Sequence, residues 1–419
     1  MKKTIILLSS FLLTVFNGCE KESNPADTGN ATNFKINFVN NRIRGNGWVV
    51  LHSLDGKSVQ SYKSFIKNAA VDFGNINSER VTFTYIDSYT DQYGWKNIII
   101  TSDLNAPAGE WQLDGNGYSY KGKFNITMNY PNNNYRNRSL GIRGNSSIGY
   151  TTTFGQSSIY TGDIYYIRPD TKLSIFSSII TANADSGLCG WISDANFNLN
   201  ETNTYSLTLD KLMNRKMITT SKPFQRCFLE VLSGDSLERT GMSFYSSDLN
   251  SMVTNFPVFY YSGYPRDYYY MSFSYSDMLQ SEGYSAKLTD LPSNVSVPNL
   301  ALNAIYNADS VRFENLITSG SFDQYAAVWS YVDATSKIIF SWIVYAPHTS
   351  KSVNRPFLPT EVINQIPPLD LSRLKANYLG ILDYDTMNSM DEIITKFFKS
   401  NTVPLKTYNV YHYYRQNFQ

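Results

Sequence analysis

Short runs in which apolar and polar residues alternate recur along most of the chain, and they constrain its fold more than any other feature. They are rich in Tyr, Phe, Val, Ile and Thr, which favour the pleated, half-buried surface of a sheet. Turn residues separate the runs. The clearest are "FKINFVN" (34–40), "WVVLHS" (48–53), "RVTFTYI" (80–86), "WKNIIIT" (95–101) and "YSYKGKFNITMNY" (118–130). Strands at this spacing predict an all-β protein of two to three tandem β-sandwich domains, and not a parallel α/β sheet.

The pattern changes toward the C-terminus. Two segments, 358–384 and 388–399, read as helical, and Ser389 with Glu392 has the spacing of a capping box. The chain then closes on "TYNVYHYYRQNF" (407–418), which alternates as a strand. We therefore expect a short helical segment inside an otherwise β-rich C-terminal region.

The N-terminus has the pattern of an export signal. Lys2 and Lys3 precede an apolar stretch of 13 residues, Thr4–Phe16. A membrane-spanning helix needs about 20 apolar residues, so this stretch is too short to be one. Its positive flank and length indicate a signal peptide over residues 1–18.

Gly18 directly precedes Cys19 at the end of that stretch. This pair resembles the lipobox of bacterial lipoproteins, and a loose lipobox followed by a polar tether is similar to those of Bacteroidota. Phe16 and Asn17 depart from the residues usual at those two places. The resemblance implies that Cys19 carries a lipid, that residues 19–33 form a tether, and that the protein is held at the outer membrane. The alternative is an ordinary secretory signal beside an unrelated cysteine.

Charge excludes one class of partner. Without residues 1–18 the chain has 34 basic and 35 acidic residues, a formal charge of −1. Nucleic-acid binding needs a concentrated basic surface, and the sequence has none. We therefore expect no nucleic-acid partner.

Residues 34–116 carry a resemblance of their own. "GWVVLHSLDGKSVQSYK" (47–63) places a glycine-bearing hairpin after an apolar strand, and "IIITSDLNAPAGEWQLDG" (98–115) places a Pro–Gly turn before an aromatic strand. This arrangement resembles the prealbumin-like (carboxypeptidase regulatory-like) β-sandwich modules of exported Bacteroidota proteins. It implies an Ig-like or prealbumin-like sandwich that serves as a spacer or binding module. A β-sandwich region over 117–289 and a β domain with C-terminal helices over 290–419 complete the expected organisation.

Catalytic patterns are missing from the sequence. The three histidines, His52, His348 and His412, are far apart, and no HExxH, Cys-x-x-Cys or nucleophile-elbow motif occurs. The nearest approach to a carboxylate cluster is Asp383 and Asp385 with Glu392, which more simply solvate a loop before a helix. We expect no metal, no cofactor and no enzymatic activity.

Cys189 and Cys227 are the remaining cysteines. In an exported protein they could pair, which would stabilise the fold by ~3–4 kcal/mol through closure of the loop between them. Two buried free thiols are the other interpretation, and the sequence leaves both open.

The densest aromatic stretch is "FPVFYYSGYPRDYYYMSFSY" (256–275). It reads as a hairpin whose alternating rings are partly buried. A sugar could also stack on its rings, and the candidates are Tyr264, Tyr268 and Tyr270. The predicted function is thus a non-catalytic outer-membrane lipoprotein that binds a glycan or an envelope protein. The alternative is a lipid-anchored glycoside hydrolase or peptidase with dispersed catalytic acids.

Overall fold

A computed structural model describes most of the chain after residue 31. The described residues are 32–39, 46–66, 70–91, 93–114, 119–131, 135–144, 150–154, 159–166, 172–181, 185–198, 200–232, 242–263, 268–366, 370–399 and 410–418. Over these ranges the chain forms 27 strands and two short α-helices.

The strands of the first half are, in chain order, β1 (Thr32–Val39), β2 (Asn46–His52), β3 (Val59–Ile66), β4 (Ala70–Ile76), β5 (Arg80–Thr90), β6 (Lys96–Pro107), β7 (Glu110–Asp114), β8 (Ser119–Asn129), β9 (Tyr135–Gly144), β10 (Tyr150–Phe154), β11 (Ile159–Tyr166), β12 (Lys172–Thr181), β13 (Gly187–Asn196), β14 (Thr202–Thr208) and β15 (Lys211–Leu212).

The second half continues with β16 (Asn214–Leu232), β17 (Met242–Tyr260), β18 (Tyr268–Ser276), β19 (Gln280–Leu288), β20 (Asn294–Val295), β21 (Ala301–Asn307), β22 (Arg312–Ser319), β23 (Gln324–Asp333), β24 (Ile338–Pro347), β25 (Val353–Asn354), α1 (Thr360–Asn364), β26 (Lys375–Tyr384), α2 (Met390–Ile394) and β27 (Val410–Asn417). A 3₁₀ turn covers Leu371–Arg373, and a π-helical turn, Thr395–Lys399, follows α2 directly.

The prediction of an all-β protein is confirmed, and one sheet of 13 strands organises it. Its order is β17-β16-β18-β19-β27-β26-β23-β24-β6-β5-β2-β3, with β20 beside β16. Most neighbouring strands are antiparallel, but β24 and β6 run parallel. Three smaller sheets pack their apolar side chains against this large sheet, and a fourth packs on one of the three.

The N-terminal region is a β-sandwich. The sheet β4-β1-β7 faces the end of the large sheet formed by β3, β2, β5 and β6. Strand β2 shows why two cores are possible here, because alternate residues of a strand point to opposite faces. Val49 and Leu51 belong to the core under β4-β1-β7, whereas Val50 belongs to a second core on the other side of the sheet.

That second core lies between the middle of the large sheet and the sheet β21-β22-β25. Trp329 of β23 and Trp342 of β24 are fully buried in it, together with Phe313 of β22. Helix α1 closes this core through Val362.

The far end of the large sheet carries two further layers. The sheet β10-β9-β12-β13-β15 packs on it, and the sheet β11-β8-β14 packs on the outer side of that one. Alternation along β12 again divides the cores: Phe176 and Ile180 face the large sheet, whereas Ile175 and Ile179 face the outer one.

The helix prediction is wrong over much of 358–384. Residues 375–384 form β26, a strand between β23 and β27 in the large sheet, and only α1 and one 3₁₀ turn precede it. The run "YLGILDY" is apolar enough for a helix face, but pairing on both edges decides for the strand. The second prediction holds better: Ser389 caps α2 by accepting a hydrogen bond from the Glu392 N–H at 3.3 Å.

The predicted hairpin over 256–275 is also wrong. Strands β17 and β18 do not pair with each other, because β16 lies between them and pairs with both.

The large sheet crosses both predicted domain boundaries. Strand β6 of the N-terminal sandwich pairs with β24, and β19 pairs with β27. The segments 34–116, 117–289 and 290–419 thus share one hydrogen-bonded sheet. None of the helices that the structure describes has the length and apolar character needed to cross a membrane.

Candidate ligand-binding face

Cys19 and Tyr264 lie outside the described residues, so the lipid and one of the three stacking residues stay predictions. The structure describes the other four candidates for a disulfide or for sugar stacking. These are Cys189, Cys227, Tyr268 and Tyr270.

Cys189 and Cys227 are free thiols, both fully buried in the core beneath the five-stranded sheet. Burial raises the pKa of Cys189 to about 12 and raises the pKa of Cys227 as well. A thiol that stays protonated is a poor nucleophile and a poor metal ligand. The two side chains therefore pack as small apolar groups.

Two of the three histidines are buried in polar groups that solvent does not reach. His412 Nε2 lies 2.7 Å from Glu282 Oε1, and Lys222 Nζ lies 2.8 Å from the same oxygen. Burial raises the pKa of Glu282, but the hydrogen bonds from His412 and Lys222 outweigh it and leave the pKa lowered. Glu282 is 3% exposed and His412 is not exposed at all, so this group fastens strands β16, β19 and β27 together.

His52 belongs to a second buried row. Its Nε2 lies 2.9 Å from Thr84 Oγ1, which lies 2.7 Å from Ser102 Oγ, and Trp342 Nε1 donates to Ser102 Oγ at 2.9 Å. The row runs across β2, β5, β6 and β24 on one face of the sheet. These hydrogen bonds offset part of the cost of burying the polar groups, although His52 Nδ1 is buried without a partner.

Carboxylates meet near the C-terminal end of β26, and sequence reasoning missed the most perturbed of them. Asp323 is 1% exposed, and its Oδ2 accepts a hydrogen bond from the Tyr384 N–H at 2.8 Å. Burial, with the nearby charges of Asp383 and Glu392, raises the pKa of Asp323 to about 7. Within the described ranges, no three His, Cys, Asp or Glu side chains come together in a way that could hold a metal ion.

One face of the large sheet carries a continuous group of half-buried aromatic residues. On strands β18, β19, β27 and β26, one set of alternate side chains contributes to the buried cores. The other set points the opposite way and, among described residues, joins none of the four apolar cores. We call this side the tyrosine face. Its members include Tyr268, Tyr270, Ser272 and Ser274 of β18, Lys287, Ser285, Gly283 and Ser281 of β19, Tyr411, Tyr413 and Arg415 of β27, and Tyr384, Leu382, Gly380 and Tyr378 of β26.

The rings of this face form a strip that crosses two strands. Tyr384 and Tyr411 lie opposite each other on β26 and β27, with ring centroids 4.9 Å apart. Tyr411 and Tyr413 follow along β27 at 5.9 Å. The guanidinium of Arg415 then lies 4.6 Å from the Tyr413 ring and 4.6 Å from the Tyr378 ring. All five side chains are half-buried, so they keep part of their surface in solvent.

Glycine lets Tyr413 lie against the sheet. Gly283 is directly opposite Tyr413, and a Cβ atom at Gly283 would overlap the Tyr413 ring. Beside it, Ser272 and Ser285 face each other with their hydroxyls 2.8 Å apart. The face therefore combines ring surfaces with hydroxyl groups along a floor of small side chains.

The predicted stacking residues of β18 lie on the same face but contribute less. Tyr270 is 6% exposed, so its ring does not offer a surface to a sugar, and its expected role is not supported. Tyr268 is half-buried, with Lys287 Nζ 4.6 Å from its ring. The strip itself comes from "YHYYR" (411–415), where the alternation of Tyr411, Tyr413 and Arg415 was the available signal.

Comparisons with known proteins add little to this picture. No protein-family model matches the chain, and no curated protein sequence matches it. Among solved structures, the chain is similar to the Bacillus anthracis TIE protein at 8% identity and a TM-score of 0.14, with 72% of this chain and 62% of that chain covered. The chain thus spans less than two thirds of that protein. A TM-score this low supports no conclusion about fold or function.

Proposed function

We propose that this protein is an exported lipoprotein that binds a glycan through the tyrosine face and performs no catalysis. The observation that carries the proposal is the strip of Tyr384, Tyr411 and Tyr413, which continues into Arg415 and Tyr378.

Half-buried rings on a rigid sheet suit a sugar ligand. A pyranose ring has an apolar C–H surface that stacks on an aromatic face, while its hydroxyls need hydrogen-bonding partners at the edge. Tyr411 and Tyr413 supply the rings, and Ser272, Ser285 and Arg415 supply the partners. Because these side chains stand on strands paired on both sides, their positions are fixed before a ligand binds, which lowers the entropy lost on binding.

The membrane part of the proposal rests on Cys19 and the polar tether over 19–33. A lipid on Cys19 would hold the described domains at the outer membrane, as in the Bacteroidota lipoproteins that the N-terminus resembles. Radiolabelled palmitate tests this directly. In labelled cells, we expect the wild-type protein to incorporate palmitate and the Cys19→Ser variant to incorporate none. Equal labelling of the two would contradict a lipid anchor on Cys19.

Glycan binding is tested with the purified residues 34–419 against a panel of polysaccharides, by array and then by calorimetry. We expect Tyr413→Ala to weaken binding of the best ligand by about tenfold or more, equivalent to ~1.4 kcal/mol. Tyr93→Ala is the matched control, because Tyr93 is 72% exposed and lies away from the strip.

Three results would contradict the proposal. One is a panel without any binding glycan, and another is unchanged affinity in Tyr413→Ala. The third is chromatographic evidence that a bound glycan is cleaved, which would favour the hydrolase that the sequence also allows. If the protein binds an envelope protein and no glycan, the tyrosine face would be a binding site for a protein partner.

A further inference from the structure

Two cations on the tyrosine face have no carboxylate partner among the described residues. Arg415 lies between the rings of Tyr413 and Tyr378, and Lys287 lies over the ring of Tyr268. Several other cations of the described surface do have an acidic partner within 4 Å: Lys35 with Glu110, Lys57 with Asp55, Arg312 with Glu314 and Arg373 with Asp333. Arg415 and Lys287 thus carry charges that no described carboxylate pairs within 4 Å, and the buried Glu230 lies on the same side of the sheet, opposite Tyr270.

Stacking leaves the hydrogen-bonding capacity of Arg415 available. A guanidinium that packs its flat surface against aromatic rings keeps its N–H donors in the plane, at its edge. That edge forms two parallel hydrogen bonds with a carboxylate. The two tyrosines also fix the orientation of the group, so little side-chain entropy is lost when an anion binds.

The two cations lie on either side of Tyr413 and Tyr411 along the strand direction. Arg415 is opposite Ser281 on β19, and Lys287 is six residues further along that strand. At about 3.3 Å per residue, the two positions are ~20 Å apart. Tyr413 and Tyr411 lie between them along β27, opposite Gly283 and Ser285.

The charge of the whole protein limits the kind of anion. Without residues 1–18 the chain is close to neutral. Arg415 and Lys287, ~20 Å apart, and Arg226 opposite Ser274 on the neighbouring strand β16 make a weakly positive surface. A densely sulfated polymer is bound through a concentrated basic patch. Widely spaced single charges instead match a glycan in which acidic sugars alternate with neutral ones.

Resting on the proposed function, we infer that the ligand of the tyrosine face is an acidic glycan with spaced uronic acid residues. One uronate carboxylate binds Arg415, a second binds Lys287, and the sugars between them stack on Tyr413 and Tyr411. The inference adds a charge requirement to a stacking site.

The test uses one uronate-containing oligosaccharide and the same oligosaccharide after chemical reduction of its carboxyl groups to alcohols. Calorimetry with purified residues 34–419 should show an affinity for the reduced oligosaccharide at least tenfold lower than that for the uronate form. Affinity for the uronate form should fall as salt rises, because the charge pairs are partly exposed. Arg415→Gln should lose most of the preference for the uronate form, and Lys351→Gln, at an exposed position elsewhere, should keep it.

The outcomes separate the two proposals. Equal binding of the uronate and reduced forms overturns the inference but leaves glycan binding intact. Tighter binding of a sulfated glycan overturns the assignment to uronate. Absence of binding to either form and to every neutral glycan overturns the proposed function itself. If Arg415→Gln melts at a lower temperature than wild type, Lys287→Gln replaces it. Lys287 lies over the Tyr268 ring, and its loss should also reduce the preference for the uronate form.

Discussion

Asp323 is a buried carboxyl group at the start of β23, and it makes the stability of the fold depend on pH. The unfolded chain releases this proton near pH 4, whereas burial raises the pKa of Asp323 in the folded protein to about 7. Between those values the folded state binds more protons than the unfolded state. Stability contributed by this group therefore falls as pH rises from about 4 to about 7 and is level above that.

Asp323→Asn should remove that dependence. The amide stays neutral and its oxygen can still accept the Tyr384 N–H, so the variant should gain stability over wild type at pH 7.5 but not at pH 4. The gain in the free energy of unfolding is a few kcal/mol at most, since each unit by which the pKa differs between the folded and unfolded states corresponds to ~1.4 kcal/mol. Urea unfolding at both pH values measures it, and an identical difference at both would contradict the assignment.

His52 acts in the opposite direction. Burial lowers the pKa of His52 to about 4 from its ordinary 6.5. Below pH 6.5 the unfolded chain takes up a proton that the folded protein refuses, so stability falls as pH drops from about 6.5 to about 4. Asp323 and His52 thus offset each other across much of the same range.

We predict that the free energy of unfolding of His52→Gln, compared with that of wild type, is higher at pH 4.5 than at pH 7.5. Glutamine can replace the hydrogen bond to Thr84 and does not titrate. The same urea experiment checks it, with wild type at each pH as the reference. A larger loss of stability at pH 4.5 than at pH 7.5 would show that His52 is not the acid-sensitive group.

At the scale of the element, the packing of the β27 tyrosine rings depends on small residues of the neighbouring strand β19. Gly283 has a backbone that any residue can adopt, so an alanine there meets only the ring of Tyr413. We expect Gly283→Ala to destabilise the protein by ~1–3 kcal/mol through this overlap. In the Tyr413→Ala background the same change should be nearly neutral.

This double-mutant cycle is measured by urea unfolding, and additive effects would contradict the packing of Tyr413 on Gly283. Gly380→Ala is the control, because a Cβ there would lie 3.0 Å from Arg415 Cγ and 3.2 Å from the Tyr414 carbonyl oxygen, and its three nearest atoms include none of the Tyr413 ring. Its cost should therefore be the same in the wild-type and Tyr413→Ala backgrounds.

Local pattern predicts the strands well and their partners poorly. Within the alternating runs, residues 34–39, 80–86 and 96–101 lie in strands, because alternation is a property of the segment itself. Residues 375–384 were assigned to a helix because their periodicity is ambiguous, and only pairing with β23 and β27 decides it.

The candidate face shows the same limit. The density of aromatic residues in the sequence pointed to 256–275. The strip is instead formed by Tyr384 on one strand and Tyr411 and Tyr413 on another. Which aromatic residues become neighbours depends on strand order, and strand order is set by contacts between distant segments. Asp323 was missed for a related reason: nothing in the residues beside it shows that it is buried.

At the scale of the whole molecule, the 13-stranded sheet joins regions that the sequence divides. Because β6 pairs with β24, we expect the N-terminal sandwich and the C-terminal region to unfold together. Phe83→Ala, at a fully buried position in the N-terminal core, should lower stability by ~3–5 kcal/mol.

We predict that this variant shows one calorimetric transition shifted to lower temperature. Phe83 lies in β5, but hydrogen exchange should increase in β23 and β24 of the C-terminal region as well as in β5. Two transitions, of which only one shifts, would show that the regions unfold independently.

The N-terminal core is completed by the end of the chain. Met390 and Ile394 of α2 belong to it, Asp391 forms two hydrogen bonds with Arg80 at 2.7 and 2.9 Å, and Phe398 stacks on Trp111 at 5.7 Å. Synthesis proceeds from the N-terminus, so the N-terminal sandwich must wait for α2, which is translated long after its own strands. A nascent chain would expose part of that core throughout this interval. Complete folding of the N-terminal sandwich therefore depends on the translation of α2.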